Sequence, residues 1–165
     1  MSQQLLPPRS LSAEHRIDDF ACGVPSLDEW LRRRALINQT TGASRTFVVT
    51  DETNRVLAYY ALAAGAVSHQ ASPGNIRRNM PDPVPVMVLA RLAVDQRLQG
   101  RHIGGALLQD ALQRAVSVAE NIGVRALLVH ALDERARQFY AHYGFLPSPA
   151  NPMMLMLPLS PKRAY

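Results

Sequence analysis

One stretch of the sequence limits the possible folds more than any other. A long apolar run over residues 84–94, interrupted by the single charge of Arg91, has the character of a buried strand. The turn Gln99-Gly100-Arg101-His102-Ile103-Gly104-Gly105 follows, and residues 103–119 have the apolar spacing of an amphipathic helix. Small residues at such a turn let the backbone approach a ligand, and the first N–H groups of a helix have no partner within it. This passage therefore predicts a pyrophosphate site, although a helix start without any ligand would explain the same pattern.

The turn differs from the two most familiar phosphate-binding patterns. It lacks the Gly-x-Gly-x-x-Gly spacing of dinucleotide-binding folds, and no Gly-Lys-Ser/Thr follows as in a Walker loop. Arg101 could add a charged hydrogen bond to a bound phosphate. The motif alone thus suggests the chemistry of a ligand without naming it.

The remaining pattern predicts one mixed α/β domain over residues 1–165. Ser26 and Glu29 have the spacing of a capping box at the start of a helix over 26–39. A strand at 124–131 completes a strand–helix–strand unit, which should place it beside residues 84–94 and parallel to them. The other predicted elements are strands at 45–50, 55–66 and 153–159, a loop or short helix at 68–83, and a helix at 134–143 that Gly144 ends.

Two polar side chains raise questions about burial. Arg34 falls within the apolar stripe of the first helix, so it should either form a buried ion pair, extend to solvent, or aim its guanidinium into a cleft. Asp110 belongs to the face of the 103–119 helix that is predicted to be wet.

Charge and cysteine content narrow the setting of the protein. The formal net charge is +5, and all but one of the eighteen basic residues are arginine, which favours phosphate partners. Compositional bias of the genome would give the same count. Cys22 is the only cysteine, so no internal disulfide can form and a reducing cytoplasm is expected. No stretch is apolar enough for a membrane span, and the histidines have no metal-ligand spacing.

Two segments resemble the GNAT family of N-acetyltransferases. Gln99-Gly-Arg-His102-Ile-Gly104 is similar to the family's pyrophosphate motif Gln/Arg-x-x-Gly-x-Gly/Ala, with His102 in place of the first glycine. Residues 133–145, Asp-Glu-Arg-Ala-Arg-Gln-Phe-Tyr-Ala-His-Tyr-Gly-Phe, are similar to the family's helix Asn-x-x-Ala-x-x-Phe/Leu-Tyr-x-x-x-Gly-Phe. The resemblance implies a central sheet with splayed parallel strands flanked by helices, and acetyl-CoA as the cofactor. It assigns cofactor binding to the main chain of Leu92 and Val94 and to Gln99, Gly100, Arg101, His102, Ile103, Gly104, Gly105 and Asp133.

Three further segments resemble the GNAT toxins of type II toxin–antitoxin modules. They cover residues 20–31, 42–48 and 88–95. This resemblance implies that the substrate is the α-amino group of an aminoacyl-tRNA. It also implies a ribbon–helix–helix antitoxin as partner and a homodimer. A protein N-terminus or a small-molecule amine remains an alternative acceptor, and an inactive acyl-CoA-binding module is a third reading.

The expected mechanism assigns roles to a few side chains. The resemblance makes Tyr140 the general acid that protonates the departing thiolate, although a packed aromatic is the usual fate of a helical tyrosine. Residues 84–94 contain no carboxylate that could act as base, which favours an α-amine over a lysine side chain because its pKa is lower. Phe139 is expected in the core, and Tyr143 is expected to be structural. The candidates for contacting RNA phosphates are Arg77, Arg78 and Arg91, and Arg34 and Arg45 are second-rank candidates. Each of these arginines could equally be an ordinary surface or structural charge.

Overall fold

The computed structural model of the protein describes residues 4–160. Its central feature is a seven-stranded mixed sheet. The elements in chain order are β1 (Arg9–Ser10), α1 (Pro25–Trp30), a π-helical turn (Leu31–Ala35), α2 (Leu36–Thr41), β2 (Arg45–Thr50), β3 (Val56–Val67), α3 (Gly74–Arg77), β4 (Val84–Val94), a 3-10 turn (Gln96–Leu98), α4 (Ile103–Ala119), β5 (Ala126–His130), α5 (Glu134–His142), β6 (Leu146–Pro147) and β7 (Met154–Pro158). The strand order is β1-β2-β3-β4-β5-β7-β6. The predicted α/β class is therefore confirmed. None of these helices is long and apolar enough to cross a membrane.

The strand–helix–strand unit has the predicted arrangement. β4 and β5 are neighbours and parallel, with Met87 opposite Leu127 and Leu89 opposite Val129. β4 then continues to Val94, and β5 pairs on its other side with β7 in antiparallel register. The splay of the two parallel strands beyond this register stays a prediction from the resemblance.

Contacts divide the described chain into two compact units. One contains residues 4–63 and 91–111, and the other contains residues 64–90 and 112–160. β3, β4 and α4 each contribute residues to both units. The interpretation of residues 1–165 as one domain stays a prediction, and its ends at 1–3 and 161–165 lie outside the described residues.

The core of the first unit is built around Tyr59 of β3, which is fully buried. Its ring stacks on Trp30 at a centroid distance of 5.9 Å and meets Phe20 edge-on at 5.4 Å. Its hydroxyl donates a hydrogen bond of 2.6 Å to the carbonyl of Leu27. Tyr59 thus attaches α1 to the sheet by apolar packing and by a buried polar contact.

The core of the second unit lies between the sheet and the segment that carries α3. The buried residues of this core are Val67, Ile76, Val84, Val86, Ala126, Leu128 and Met156.

α5 ends where the sequence predicted. Gly144 has a φ of +93°, which a residue with a Cβ rarely adopts.

The start of the first helix differs from its prediction. α1 begins at Pro25 with Val24 as the N-cap residue, and no side chain caps it, so the capping box of Ser26 and Glu29 is wrong. Proline suits the first helical position because its fixed φ is already helical and its missing N–H would have had no partner. The side chain of Asp28 forms its hydrogen bond outside the helix, where its Oδ1 accepts the N–H of Cys22 at 2.9 Å.

Two expectations about burial also change. Arg34 is exposed and donates to Asn38 Oδ1 at 3.4 Å, which excludes the buried ion pair and favours the solvent-directed side chain. Asp110 is half-buried rather than wet, because it accepts a hydrogen bond from the Tyr60 hydroxyl of β3. Tertiary partners of this kind leave no trace in the helical periodicity of the sequence.

We predict that Tyr59→Phe lowers the free energy of unfolding by about 1–3 kcal/mol, because the Leu27 carbonyl loses its buried donor. Chemical denaturation would measure the change. Tyr143→Phe is the matched control, because Tyr143 is 39% exposed and should change stability by less than about 0.5 kcal/mol. Equal stability of the Tyr59 variant and the native chain would contradict this account of the core.

Candidate active site

The passage from β4 to α4 begins with a side-chain cap. The N–H of Asp95 donates to the carbonyl of Leu57 at 2.9 Å, which continues the sheet by one residue. Asp95 Oδ1 then accepts the N–H of Arg97 at 2.9 Å and starts the single 3-10 turn Gln96–Leu98. Leu98 is buried and anchors this turn. The strand therefore leaves the sheet in a defined direction.

The next part of the passage needs left-handed backbone. Gly100 has a φ of +82° and His102 a φ of +61°. Glycine adopts this conformation without steric cost, and histidine is among the few other residues found there with some frequency. His102 is therefore compatible with a position where the family motif has glycine, at the expense of a modest backbone strain.

The start of α4 supplies the polar groups of the candidate site. The first hydrogen bond of the helix runs from the N–H of Ala106 to the carbonyl of His102 at 3.2 Å. The N–H groups of Ile103, Gly104 and Gly105 precede it and have no acceptor within the helix. These main-chain donors and the dipole of a 17-residue helix favour a diphosphate, so the passage fits the group that the sequence suggested. Arg101 is exposed beside them and can add a charged contact.

Gln99 has protein partners for its side-chain amide. Its Nε2 donates to the carbonyl of Cys22 at 2.8 Å and to the carbonyl of Val94 at 3.0 Å. Because both partners are acceptors, they fix the orientation of the amide. The predicted cofactor contact of Gln99 can therefore not use this donor while these two bonds are present.

Asp95 is the carboxylate nearest in sequence to the end of β4, and both of its oxygens already accept hydrogen bonds from the protein. It is 2% exposed, and Arg97 grips it with Nε at 2.9 Å from Oδ1 and Nη2 at 3.0 Å from Oδ2. Burial alone would raise its pKa, but the hydrogen bonds from Arg97 and from the Ala21 N–H outweigh burial and lower it. A carboxylate held in this way is a poor proton acceptor.

The C-terminal end of β4 has two distinct faces. Ala93 is buried in the core of the first unit, while Leu92 and Val94 are partly buried on the other face. The guanidinium carbon of Arg91 lies 5.2 Å from the centroid of the Trp30 ring, which is a cation–π contact. Arg91 therefore has a packing role in addition to the RNA contact predicted for it.

In the second unit, α5 places Tyr140 in an apolar environment. Asp133 caps the helix, since its Oδ1 accepts the N–H of Ala136 at 2.8 Å. Tyr140 is 6% exposed between the rings of Phe139 and Phe145, at centroid distances of 5.1 Å and 5.5 Å. Burial raises the pKa of Tyr140 above its usual range, so the phenol keeps its proton at neutral pH. Among residues 4–160 no group accepts a hydrogen bond from its hydroxyl.

The neighbours of Tyr140 and the other predicted arginines lie nearer to the surface. Phe139 is only partly buried, so its predicted place in the core is wrong, and Tyr143 is exposed. Arg77 and Arg78, at the end of α3, are both exposed, and Arg77 also donates to the carbonyl of Ser72 at 2.9 Å. Arg45 is exposed as well and donates to the carbonyl of Gln39 at 2.7 Å. A contact to RNA by these side chains stays a prediction.

The chain resembles known proteins over nearly its whole length. A sequence profile of the acetyltransferase (GNAT) family matches residues 11–145. The tRNA-acetylating toxin of Mycobacterium tuberculosis is 52% identical over 157 residues, which cover 95% of this chain and 94% of the relative. The solved structure of AtaT complexed with acetyl-methionyl-tRNAfMet is similar with a TM-score of 0.87 and 27% identity, covering 94% of this chain and 95% of that one. A mutant AtaT toxin bound to the C-terminus of the antitoxin AtaR and acetyl-CoA gives a TM-score of 0.81 and 27% identity, with 93% and 92% of the chains covered.

We predict different effects on stability for two substitutions of His102. His102→Val should lower the free energy of unfolding by about 1–2 kcal/mol, because a β-branched residue is strained at a positive φ. His102→Gly should leave stability within about 1 kcal/mol of the native value, since relief of strain is offset by the greater freedom of glycine in the unfolded chain. Denaturant titration of both variants would measure this, and equal stability of the two would contradict the left-handed conformation.

A second prediction concerns acid. Because the folded pKa of Asp95 is lowered, its stabilisation is present above the unfolded pKa of about 3.9 and is lost as pH falls through the lower folded value. Asp95→Asn should therefore cost about 1–3 kcal/mol near pH 7, and the difference from the native chain should shrink below about pH 4. Denaturation curves between pH 7 and 3 would test it. A difference that grows in acid would show that the sign is wrong.

Proposed function

The chain belongs to the acetyltransferase (GNAT) family, and from that premise we propose that it is a toxin that acetylates the α-amino group of aminoacyl-tRNA and so blocks translation. The observation that carries this proposal is the 52% identity to a tRNA-acetylating toxin over almost the full length of both chains. Its acetyl donor is acetyl-CoA, which a structurally similar toxin binds.

The start of α4 is the proposed binding site for the donor. Acetyl-CoA supplies an activated acetyl thioester. The N–H groups of Ile103, Gly104 and Gly105 would donate to its diphosphate, and Arg101 would add positive charge at the same place. By the family resemblance, main-chain groups of Leu92 and Val94 would hold the pantetheine arm, and of these the Val94 carbonyl already accepts Gln99 Nε2. Asp133 stays a candidate contact only through atoms that its cap does not use.

Tyr140 is the proposed proton donor. A general acid must hold its proton until the leaving group departs, and the phenol of Tyr140, whose pKa is raised by burial, is neutral at pH 7. Its apolar surroundings also strengthen any hydrogen bond that the phenol makes to developing negative charge. The protein therefore protonates the leaving thiolate with a neutral side chain.

The lack of a free carboxylate at β4 supports an acceptor amine with a low pKa. β4 contains no Asp or Glu, and Asp95 is engaged by Arg97. An α-amino group has a pKa of about 7.7–8.0, so roughly a tenth of it is neutral at pH 7, whereas a lysine side chain near 10.4 is almost wholly charged. An acceptor of the first kind needs little help from a base. The amino acid on a charged tRNA is such an acceptor.

The charge of the chain suits a nucleic acid substrate. The net charge is +5, and Arg77 and Arg78 are exposed on the surface of the second unit. Arginines in such positions bind phosphates regardless of base sequence, and Arg91 is a third candidate. Binding of tRNA should accordingly weaken as salt is raised.

We also assign partners and a setting to the toxin. A similar toxin has been solved with the C-terminus of an antitoxin, and a cognate antitoxin of the ribbon–helix–helix class is the proposed partner here. The active form is proposed to be a homodimer in the cytoplasm, where its tRNA substrate is found.

We predict that Tyr140→Phe lowers kcat/KM for acetyl transfer to aminoacyl-tRNA by at least about 100-fold, because the proton donor is removed. The dissociation constant for acetyl-CoA should not change. Transfer of labelled acetyl from acetyl-CoA to charged tRNA would measure the first quantity, and isothermal titration calorimetry the second. Tyr143→Phe, at the C-cap of the same helix, is the matched control and should retain full activity.

Acceptors compared in one assay complete the test. Charged tRNA should be acetylated, whereas uncharged tRNA, a peptide with a free N-terminus and a polyamine should not. Full activity of Tyr140→Phe would overturn the role of that residue. Acetylation of the peptide or the polyamine in preference to charged tRNA would overturn the substrate.

A further inference from the structure

A short N-terminal segment lies against the passage that leads to α4. The N–H of Ala21 donates to Asp95 Oδ2 at 3.1 Å, and the carbonyl of Ala21 accepts the N–H of Gln96 at 2.9 Å. The carbonyl of Cys22 accepts Gln99 Nε2 at 2.8 Å. Three hydrogen bonds therefore join residues far apart in sequence, and all of them lie on the N-terminal side of the diphosphate-binding turn.

Asp28 of α1 holds this segment in place. Its Oδ1 accepts the N–H of Cys22 at 2.9 Å, and the residue is only 8% exposed. The next residue, Gly23, has a φ of +96°, and a Cβ there would lie 3.1 Å from Gln96 Nε2. The segment thus makes a tight turn at the point where it contacts the passage. α1 is fixed in the core of the first unit by its own Leu27 and by Leu31, which directly follows it.

The turn beyond Gln99 has little packing of its own. A Cβ at Gly100 would find no atom within 4 Å, and both Arg101 and His102 are exposed. The nearest fixed point before the N–H groups of Ile103–Gly105 is therefore the side chain of Gln99, held by the carbonyls of Cys22 and Val94. The hydrogen bonds that hold Gln99 restrict the turn before any ligand binds. The turn therefore loses less conformational entropy when a ligand does bind.

We propose that Asp28 is a positioning residue for acetyl-CoA, acting through the main chain of Cys22 and the side chain of Gln99. We call Ala21, Cys22, Asp28, Asp95 and Gln99 the clasp. The clasp orders the turn before the cofactor arrives, so that the donors of Ile103, Gly104 and Gly105 need no reorganisation on binding. This inference rests on the proposed function, since it concerns the same cofactor.

The clasp predicts an effect on cofactor affinity rather than on the chemical step. Asp28→Ala should raise the dissociation constant for acetyl-CoA about tenfold, because the cost of ordering the turn is added to binding. The value of kcat at saturating acetyl-CoA should stay within about twofold, since Asp28 touches neither reacting group. Asp28→Asn keeps an acceptor oxygen and should restore most of the affinity.

A control separates positioning from general stability. Tyr59→Phe removes another hydrogen bond to α1, at the adjacent residue Leu27, and leaves every hydrogen bond of the clasp in place. It should lower the unfolding temperature without changing the dissociation constant for acetyl-CoA. Calorimetric titration and thermal unfolding of both variants give the comparison.

A double-mutant cycle tests the route through Gln99. Gln99 is exposed, so Gln99→Leu should fold, and it should itself weaken acetyl-CoA binding about tenfold. Asp28→Ala should then add little in the Gln99→Leu background. If Asp28→Ala does not fold, Gln99→Leu compared with Gln39→Ala still tests the clasp, because Gln39 bonds the N–H of Thr46 away from it.

The outcomes distinguish the two proposals. A native protein that binds no acetyl-CoA overturns the proposed function, and the clasp inference with it. A native protein that binds, with an Asp28→Ala variant that binds equally well, overturns the clasp alone. Equal weakening by Asp28→Ala and Tyr59→Phe, additive effects in the cycle, or unchanged binding by Gln99→Leu would also overturn it.

Discussion

The backbone between Val94 and Ile103 has to change from extended strand to right-handed helix, and it does so through two left-handed residues, Gly100 and His102. Left-handed residues are not held by secondary structure, so the passage needs tertiary anchors. Asp95 fixes its first part and Gln99 its middle. The result is a helix whose first N–H groups are available for an anion, and the proposed binding of acetyl-CoA depends on that arrangement.

The charged groups in and around this site are largely committed to structure. Asp95 is neutralised by Arg97, Asp28 accepts a main-chain N–H, and Arg91 lies over Trp30. In the proposed mechanism, the diphosphate is bound by the main-chain donors of α4 together with Arg101, and the neutral phenol of Tyr140 in the second unit is the proton donor. Such a set can bind a diphosphate and protonate a leaving group, but it offers little to deprotonate a strongly basic amine. This balance is why an acceptor with a low pKa is the consistent substrate.

The sequence predicted β4 and α4 with their observed bounds, because long apolar runs and helical periodicity are strong local signals. The strands β1 and β6 were not predicted, since two residues carry no periodicity and pair only through tertiary contacts. The capping box failed because Pro25 is the first helical residue, two positions before Leu27, which a Ser26 cap would have made the first. The tertiary hydrogen bonds of Asp28 and Asp110 were missed for one reason: their partners, Cys22 and Tyr60, are defined by the fold and not by spacing along a helix. The acidic residue directly after Pro25-Ser26-Leu27 was the one sequence signal that could have identified Asp28.

The binding proposal rests on the main-chain amides at the start of α4 as ligands of the acetyl-CoA diphosphate. Amide NMR of the 15N-labelled protein during titration with coenzyme A observes these groups one by one. We expect large saturable shifts for the N–H resonances of Ile103, Gly104 and Gly105, and smaller ones for the amides of α2, which lies apart from the passage along the chain. Coenzyme A binding that leaves these three resonances in place would contradict the binding proposal.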